Sequence, residues 1–140
     1  MVFGLIIEEL NLGGGFGIKY TQDDSPISYC DYIEKMSEAI LLRSKKHNID
    51  APYIYVEPGR SIVGEAGITL YTVGGIKCIP GIRKYVSVDG GMTDNPRYAL
   101  YQSKYTALIA NKALLEANDK VTIAGKCCES GDLIQEDIRI

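Results

Sequence analysis

The sequence predicts an α/β unit followed by an antiparallel β region, the first over residues 1–64 and the second over 65–140, with the join near 61–67. Two observations carry this. Up to Val56 a strand-like run, a glycine bend, a segment of helical period and a second strand-like run follow one another. That order is a βαβ unit, which requires a parallel strand pair and a right-handed crossover. From about Gly67 the character changes to short β-rich runs punctuated by Gly and Pro, with no helix between them, the pattern of an antiparallel sheet.

Taken in order, the first strand runs from Leu5 to Leu12 and meets Asn11-Leu12-Gly13-Gly14-Gly15-Phe16-Gly17-Ile18. Three glycines without Cβ atoms let the backbone turn sharply and bring N–H groups close to a ligand, a natural cradle for phosphate. The bend serves equally as a tight strand-to-helix turn. It fits neither G-x-G-x-x-G, since position 18 is Ile, nor a P-loop, since G-K-[ST] is missing. Ser25-Pro26 supplies a helix start, with Ser25 as N-cap and Pro26 at the first helical position. Apolar Tyr29, Ile33, Met36, Ile40 and Leu41 then recur at helical spacing, so the helix is expected over about 28–46. Lys45, Lys46 and His47 suit its C-terminal dipole.

Tyr53-Ile54-Tyr55-Val56 forms the second strand and ends at Glu57-Pro58-Gly59-Arg60. Parallel pairing would set this corner and the glycine bend side by side at the C-terminal strand ends, where α/β barrels keep their active sites. In the β region, strands are expected at Ile68–Val73, Ile76–Ile79, Lys84–Val88, Thr106–Ala110 and Val121–Ala124, with a turn at Glu116–Lys120.

Composition narrows the function. The chain has 140 residues, is 46% hydrophobic and 24% charged, and carries a net charge of −3. Scattered Lys and Arg on a mildly acidic chain argue against a nucleic-acid surface. No apolar run approaches the roughly 20 residues that cross a bilayer, and the start has no basic n-region or small-residue cleavage site. Cysteines stand at 30, 78, 127 and 128, in no zinc spacing, and His47 is the single histidine, so no metal is expected. A cytoplasmic, thiol-reduced protein follows. Cys30, Cys78 and Cys127 are expected to pack as small apolar residues. The chain opens almost directly on a strand and its glycine bend, which predicts a piece of something larger.

Four motifs stand in order: GGGFGI, EPGRSIV, DGGMTDNPRYALY and GKCCESGD. Together they resemble the alanine-racemase-like (fold type III) pyridoxal-phosphate decarboxylases, and within them the diaminopimelate decarboxylases. The resemblance implies the tail end of a pyridoxal-phosphate-binding (β/α)8 barrel followed by part of the antiparallel domain. It further implies that Gly13, Gly14 and Gly15 hold the cofactor phosphate, with Gly59 as a second backbone contact. Glu57 would face the pyridine nitrogen, where a carboxylate favours the protonated ring and deepens its electron sink. Arg60 would meet phosphate or substrate carboxylate. Arg97 and Tyr101 would bind the carboxylate at the far end of the substrate, and Gln102, in place of the Asp of ornithine-type relatives, favours an acidic distal group. Cys128 would be the proton donor and Glu129 a contact to the distal amine, both reaching into the partner's site across a homodimer. Asp89 reads as structural.

The family's Schiff-base lysine lies upstream of residue 1, so the chain alone is expected to be inactive. The leading expectation is a portion of an enzyme making L-lysine from meso-diaminopimelate. Alternatives are a sister decarboxylase acting on arginine or a carboxylated polyamine, a non-catalytic truncated relative, and a phosphate-binding α/β module of other ancestry.

Overall fold

The computed structural model describes residues 6–140, so Leu5, with which the first predicted strand begins, lies outside the described residues. The chain divides into two compact units, Met1–Ile68 and Thr69–Ile140.

In the first unit, strand β1 (Glu9–Asn11), helix α1 (Tyr29–His47), strand β2 (Tyr53–Tyr55) and the short helix α2 (Arg60–Val63) follow in order. β1 and β2 pair in parallel, Leu10 opposite Ile54, as a strand–helix–strand order demands. Both strands are shorter than the β-rich runs that contain them: among the described residues β1 leaves out Ile6, Ile7, Glu8 and Leu12, and β2 leaves out Val56. Between bend and helix, Asp24 closes a turn by accepting the N–H groups of Tyr20 (3.0 Å) and Thr21 (2.7 Å). Those backbone bonds hold its carboxyl below the usual range.

The cap of α1 is Ser28 rather than Ser25. The Ser28 Oγ accepts the Asp31 N–H (3.1 Å) and donates to Asp31 Oδ2 (2.8 Å), a reciprocal cap that Ser25 lacks. Pro26 is instead packed where a Cβ on Gly17 would lie 3.4 Å from its ring. The helix ends at Asn48, whose left-handed backbone (φ 51°) turns its N–H back to Ser44 and Lys45. Phe16 is the buried apolar anchor of this unit, with the Tyr29 and Tyr32 rings 5.0 and 5.3 Å away. The rest of the apolar stripe is only partly covered: Met36 and Ile40 are half-buried, while Ile33 and Leu41 are exposed. Cys30 and, in the second unit, Cys78 are exposed, against the expectation that they pack. Cys30 follows Tyr29 off the stripe that meets Phe16, and Cys78 lies on a sheet-edge strand.

The second unit is a four-stranded sheet. Strand β3 (Val73–Ile79) pairs with β4 (Arg83–Val88), helix α3 (Arg97–Tyr101) and a 3-10 turn (Ala110–Lys112) intervene, and β5 (Lys120–Ala124) pairs with β4 and with β6 (Leu133–Arg139). The outer pairs are antiparallel but the central pair, β4 with β5, is parallel, so the sheet is mixed rather than antiparallel. The cause is the long connection from Asp89 to Asp119, which carries the chain back before it re-enters the sheet. The two strands expected at 68–79 become one that starts at Val73. Before it, Thr72 is tied to Asp89 by side chain as well as backbone, its N–H donating to Asp89 Oδ1 (2.8 Å). No strand forms over 106–110, where the neighbouring Tyr105 N–H is held by the Gln135 side chain (2.9 Å) instead of a ladder.

Val86, Val88, Val121, Ile134 and Tyr98 form the core, each aliphatic member contributing roughly 1.5–3 kcal/mol by burial. Neighbouring Val121 and Thr122 are both buried, and since successive side chains point to opposite faces, β5 is covered on both. β6 reads Leu-Ile-Gln-Glu-Asp-Ile-Arg, and its polar interior is satisfied: the Tyr98 hydroxyl donates to Glu136 Oε2 (2.7 Å), and Arg83 pairs with Oε1 of the same carboxylate. Burial and that acid raise the Tyr98 phenol to about 12, so it stays a donor at neutral pH.

The bonds from Tyr98 and then Arg83 hold the Glu136 carboxyl below its ordinary 4.5. A depressed folded value means stability that is present above that pH and lost as pH falls through the folded pKa. Glu136→Gln is expected to lower stability at pH 7 by on the order of 1 kcal/mol. It should also flatten the loss of stability below about pH 4.5. Urea unfolding of both chains from pH 3 to 7 checks this; parallel curves contradict it.

Candidate functional site

Strand β1 delivers its chain into the glycine bend and β2 delivers its chain into the acidic corner, and parallel pairing sets the two side by side. The Leu12 N–H continues the ladder to the Tyr55 carbonyl (2.9 Å), and the Glu57 N–H then donates to the Gly13 carbonyl (2.7 Å). Gly13 and Gly15 have φ of +71° and +86°, in the left-handed region where a Cβ costs roughly 1–2 kcal/mol. Gly14 is needed for a different reason: a Cβ there would stand 2.4 Å from the Glu57 carbonyl oxygen. Around Gly13 and Gly15 the same construction meets nothing within 4 Å. The bend is therefore closed against the corner and open elsewhere.

Asn11, the last residue of β1, binds both pieces. Its Oδ1 accepts the Gly13 N–H (2.7 Å) and its Nδ2 donates to Glu57 Oε1 (2.6 Å). With the Gly13 N–H and carbonyl both engaged, Gly14 and Gly15 are the glycines whose amides the bend can offer to an anion. Gly59 leads into α2, and Arg60 at its start donates to the Tyr20 hydroxyl and lies over that ring, 5.9 Å from its centre. Arg60 is thus held by an aromatic side chain from the segment between bend and helix.

The remaining sequence-predicted residues belong to the second unit. Arg97 and Tyr101 are the first and last residues of α3, one turn apart, with the guanidinium 5.3 Å from the centre of the tyrosine ring. Arg97 also donates to Ser103 Oγ (3.3 Å). Cys128 and Glu129 lie in the turn before β6; Cys128 is an exposed free thiol and Cys127 is half-buried. Glu129 Oε1 accepts the Ser130 hydroxyl (3.2 Å) and the Gly131 N–H (3.0 Å).

One buried carboxylate joins these two groups. Asp132, only 3% exposed, accepts the Met92 N–H (2.5 Å) and the Cys127 N–H (2.6 Å). It fills the space above Gly125, where a Cβ would lie 2.2 Å from Oδ2. A second tie runs from the Lys126 N–H to the Gly90 carbonyl (3.0 Å). The Asp89–Met92 turn that leads to α3 and the Cys127–Asp132 turn are thereby fixed to each other. Asp89 itself works structurally, on Thr72. A shallow cleft on β3 and β4, lined by Gly75, Ile76, Lys77, Tyr85 and Ser87, contains none of the predicted site residues.

The family described as "Pyridoxal-dependent decarboxylase, C-terminal sheet domain" matches residues 20–140. The chain belongs to this family. It is 56% identical to the diaminopimelate decarboxylase of Bacillus subtilis (strain 168), over 97% of this chain and 31% of that protein. Identity to the diaminopimelate decarboxylase of Staphylococcus aureus (strain COL) is 57%, over 98% of this chain and 32% of the relative. The solved diaminopimelate decarboxylase from M. jannaschii in complex with L-lysine superposes with a TM-score of 0.75 at 34% identity, over 97% of this chain and 30% of that one. The chain thus spans about a third of the length of the relatives it matches.

Membership in a pyridoxal-dependent decarboxylase family matches the resemblance carried by the four motifs, and its cofactor is pyridoxal phosphate. The matched stretch takes in α1, β2 and α2 as well as β3–β6. Among the described residues, no helix is long and apolar enough to cross a membrane. Sequence reasoning gave no role to Asn11, Tyr20 or Asp132, although Asp132 closes the GKCCESGD motif. Asn11 carried a usable signal, since an Asn two residues before a glycine bend commonly bonds its own backbone. For Asp132 the bond to the Met92 N–H, and for Tyr20 the bond from Arg60, each span 40 residues and leave no local pattern.

Gly14→Ala is expected to part the bend from the corner at a cost on the order of 1–3 kcal/mol. Amide exchange at Glu57, whose N–H is bonded to the Gly13 carbonyl, should accelerate by tenfold or more on that scale, roughly. An unchanged Glu57 exchange rate would contradict it.

Proposed function

We propose that this chain is the late-barrel and sheet-domain portion of a cytoplasmic decarboxylase that converts meso-diaminopimelate to L-lysine and carbon dioxide. The observation that carries the reading is the bonded corner of Gly13–Gly15 and Glu57, which offers amides to a phosphate and, beside them, a carboxylate to a ring nitrogen. The residues fit the cofactor on steric grounds: the glycines leave open space at Gly13 and Gly15, while Gly14 admits no side chain. Parallel β1 and β2 and the exposed apolar residues of α1 support a barrel context for this unit, in which further strands and helices would cover them.

On this reading Gly14, Gly15, Gly59 and Arg60 hold the phosphate, Gly13 shapes the bend, and Glu57 faces the pyridine nitrogen. Pyridoxal phosphate supplies the electron sink for loss of the carboxylate. Arg97 and Tyr101 bind the distal carboxylate: guanidinium and phenol one helical turn apart converge on one anion, and Arg97 suits it by its planar fork. Arg60 is an alternative carboxylate ligand. Cys128 donates the proton that replaces carbon dioxide on carbon, and Glu129 meets the distal ammonium. Their exposure on a turn supports delivery into the partner's site of a homodimer. Gln102, which caps α3 with φ 53°, adds no charge beside Tyr101 and so favours an acidic distal group over a free amine.

Steady-state kinetics of the complete enzyme test the assignments. Arg97→Ala should raise KM for diaminopimelate by about 10–100-fold, the worth of a charged hydrogen bond. Cys128→Ala should lower kcat by about 10²–10⁴-fold with KM little changed. An unaltered KM in the first variant, or decarboxylation of arginine or a carboxylated polyamine in preference to diaminopimelate, would contradict the substrate assignment.

A further inference from the structure

Asn11 occupies a position that the family's cofactor and substrate contacts do not explain. Its amide lies between two groups of opposite demand, the Gly13 N–H at 2.7 Å and the Glu57 carboxylate at 2.6 Å. An amide satisfies both because it carries an acceptor and a donor on one rigid plane. The reverse orientation would set NH2 against N–H and oxygen against carboxylate, so the partners fix which end points where. With the backbone bond from the Glu57 N–H to the Gly13 carbonyl at 2.7 Å, these contacts close a ring through Asn11, Gly13 and Glu57.

We propose that Asn11 is a positioning residue for Glu57. By holding Oε1, it sets the rotation of the carboxylate and turns Oε2 toward the cofactor's ring nitrogen, while its other end fixes the glycine bend. Phosphate grip and ring contact are then adjusted through one side chain. Aspartate at this position would keep the acceptor for Gly13 but face Glu57 with a second carboxylate. Serine would be too short to span both partners. The inference rests on the reading of Glu57 as the acid opposite the ring nitrogen.

The test uses the complete enzyme loaded with pyridoxal phosphate, comparing Asn11→Asp, Asn11→Ala and Glu57→Gln. Three readouts are taken: cofactor affinity by fluorescence titration, the absorbance of bound cofactor from pH 6 to 9 on roughly the range where enzymes titrate, and kcat with KM. Asn11→Asp, which keeps the bond to the bend, should bind cofactor within a few-fold of the parent. Its absorbance profile should nevertheless shift, and kcat should fall by about tenfold or more, the scale of a misplaced group. Asn11→Ala, which adds no charge, should shift the profile and kcat in the same way and so serves where aspartate prevents folding. Unchanged absorbance and kcat in a folded variant, or a fall in kcat that only follows lost cofactor, would overturn the role of Asn11. If Glu57→Gln leaves absorbance and kcat as in the parent, the ring-nitrogen reading itself fails, and that result is separate from the first.

Discussion

The hydrogen bond from the Glu57 N–H to the Gly13 carbonyl is the constraint on which the arrangement of the first unit's two strand-end loops depends. It extends the parallel ladder one step beyond the strands, so two loops that would otherwise diverge leave the sheet together. The requirement for glycine follows directly: at 2.4 Å from the Glu57 carbonyl, no Cβ can be placed on residue 14 without moving one loop off the other. Asn11 adds the side-chain half of the same closure. The bend amides and the Glu57 carboxylate are then presented by strand ends rather than by free loops, so their mutual geometry is set by the sheet.

The second unit solves a parallel problem with a carboxylate in place of a backbone bond. Asp132 is buried, yet its oxygens are satisfied by the Met92 and Cys127 amides, so the charge is not left uncompensated. The turn bearing Cys128 and Glu129 is in this way fixed to the segment that leads into α3, which bears Arg97 and Tyr101. Tyr98, from the same short helix, reaches into the core and donates to Glu136 on β6. The helix is therefore anchored by the residue that follows Arg97, and the exposed Tyr101 is held in place without being packed itself.

Much of this arrangement was legible in the residues. Alternation of β-rich run, glycine bend, helical period and β-rich run specified the parallel pair, and the lysines and histidine at the end of α1 marked its terminus. The cap was misplaced because Ser25-Pro26 satisfies a local rule that Ser28 with Asp31 satisfies better. β6 could not be read: Gln135, Glu136 and Asp137 interrupt its alternation, and their partners Tyr105, Tyr98, Arg83 and Lys120, on other segments of the chain, make that polarity compatible with a strand. The parallel β4–β5 pair was hidden for a similar reason, since its cause is a long connection with little regular structure. Motif order carried the family, whereas the ties made by Asn11 and by Asp132, the last residue of the fourth motif, emerged only from coordinates.

The most direct measurement of the central claim is a crystal structure of the complete enzyme with pyridoxal phosphate bound. The account predicts phosphate oxygens within hydrogen-bond reach, about 3 Å, of the Gly14 and Gly15 amides, and the ring nitrogen at a similar distance from the Glu57 carboxylate. A phosphate bound away from the bend, or a ring nitrogen met by a group other than Glu57, would contradict it.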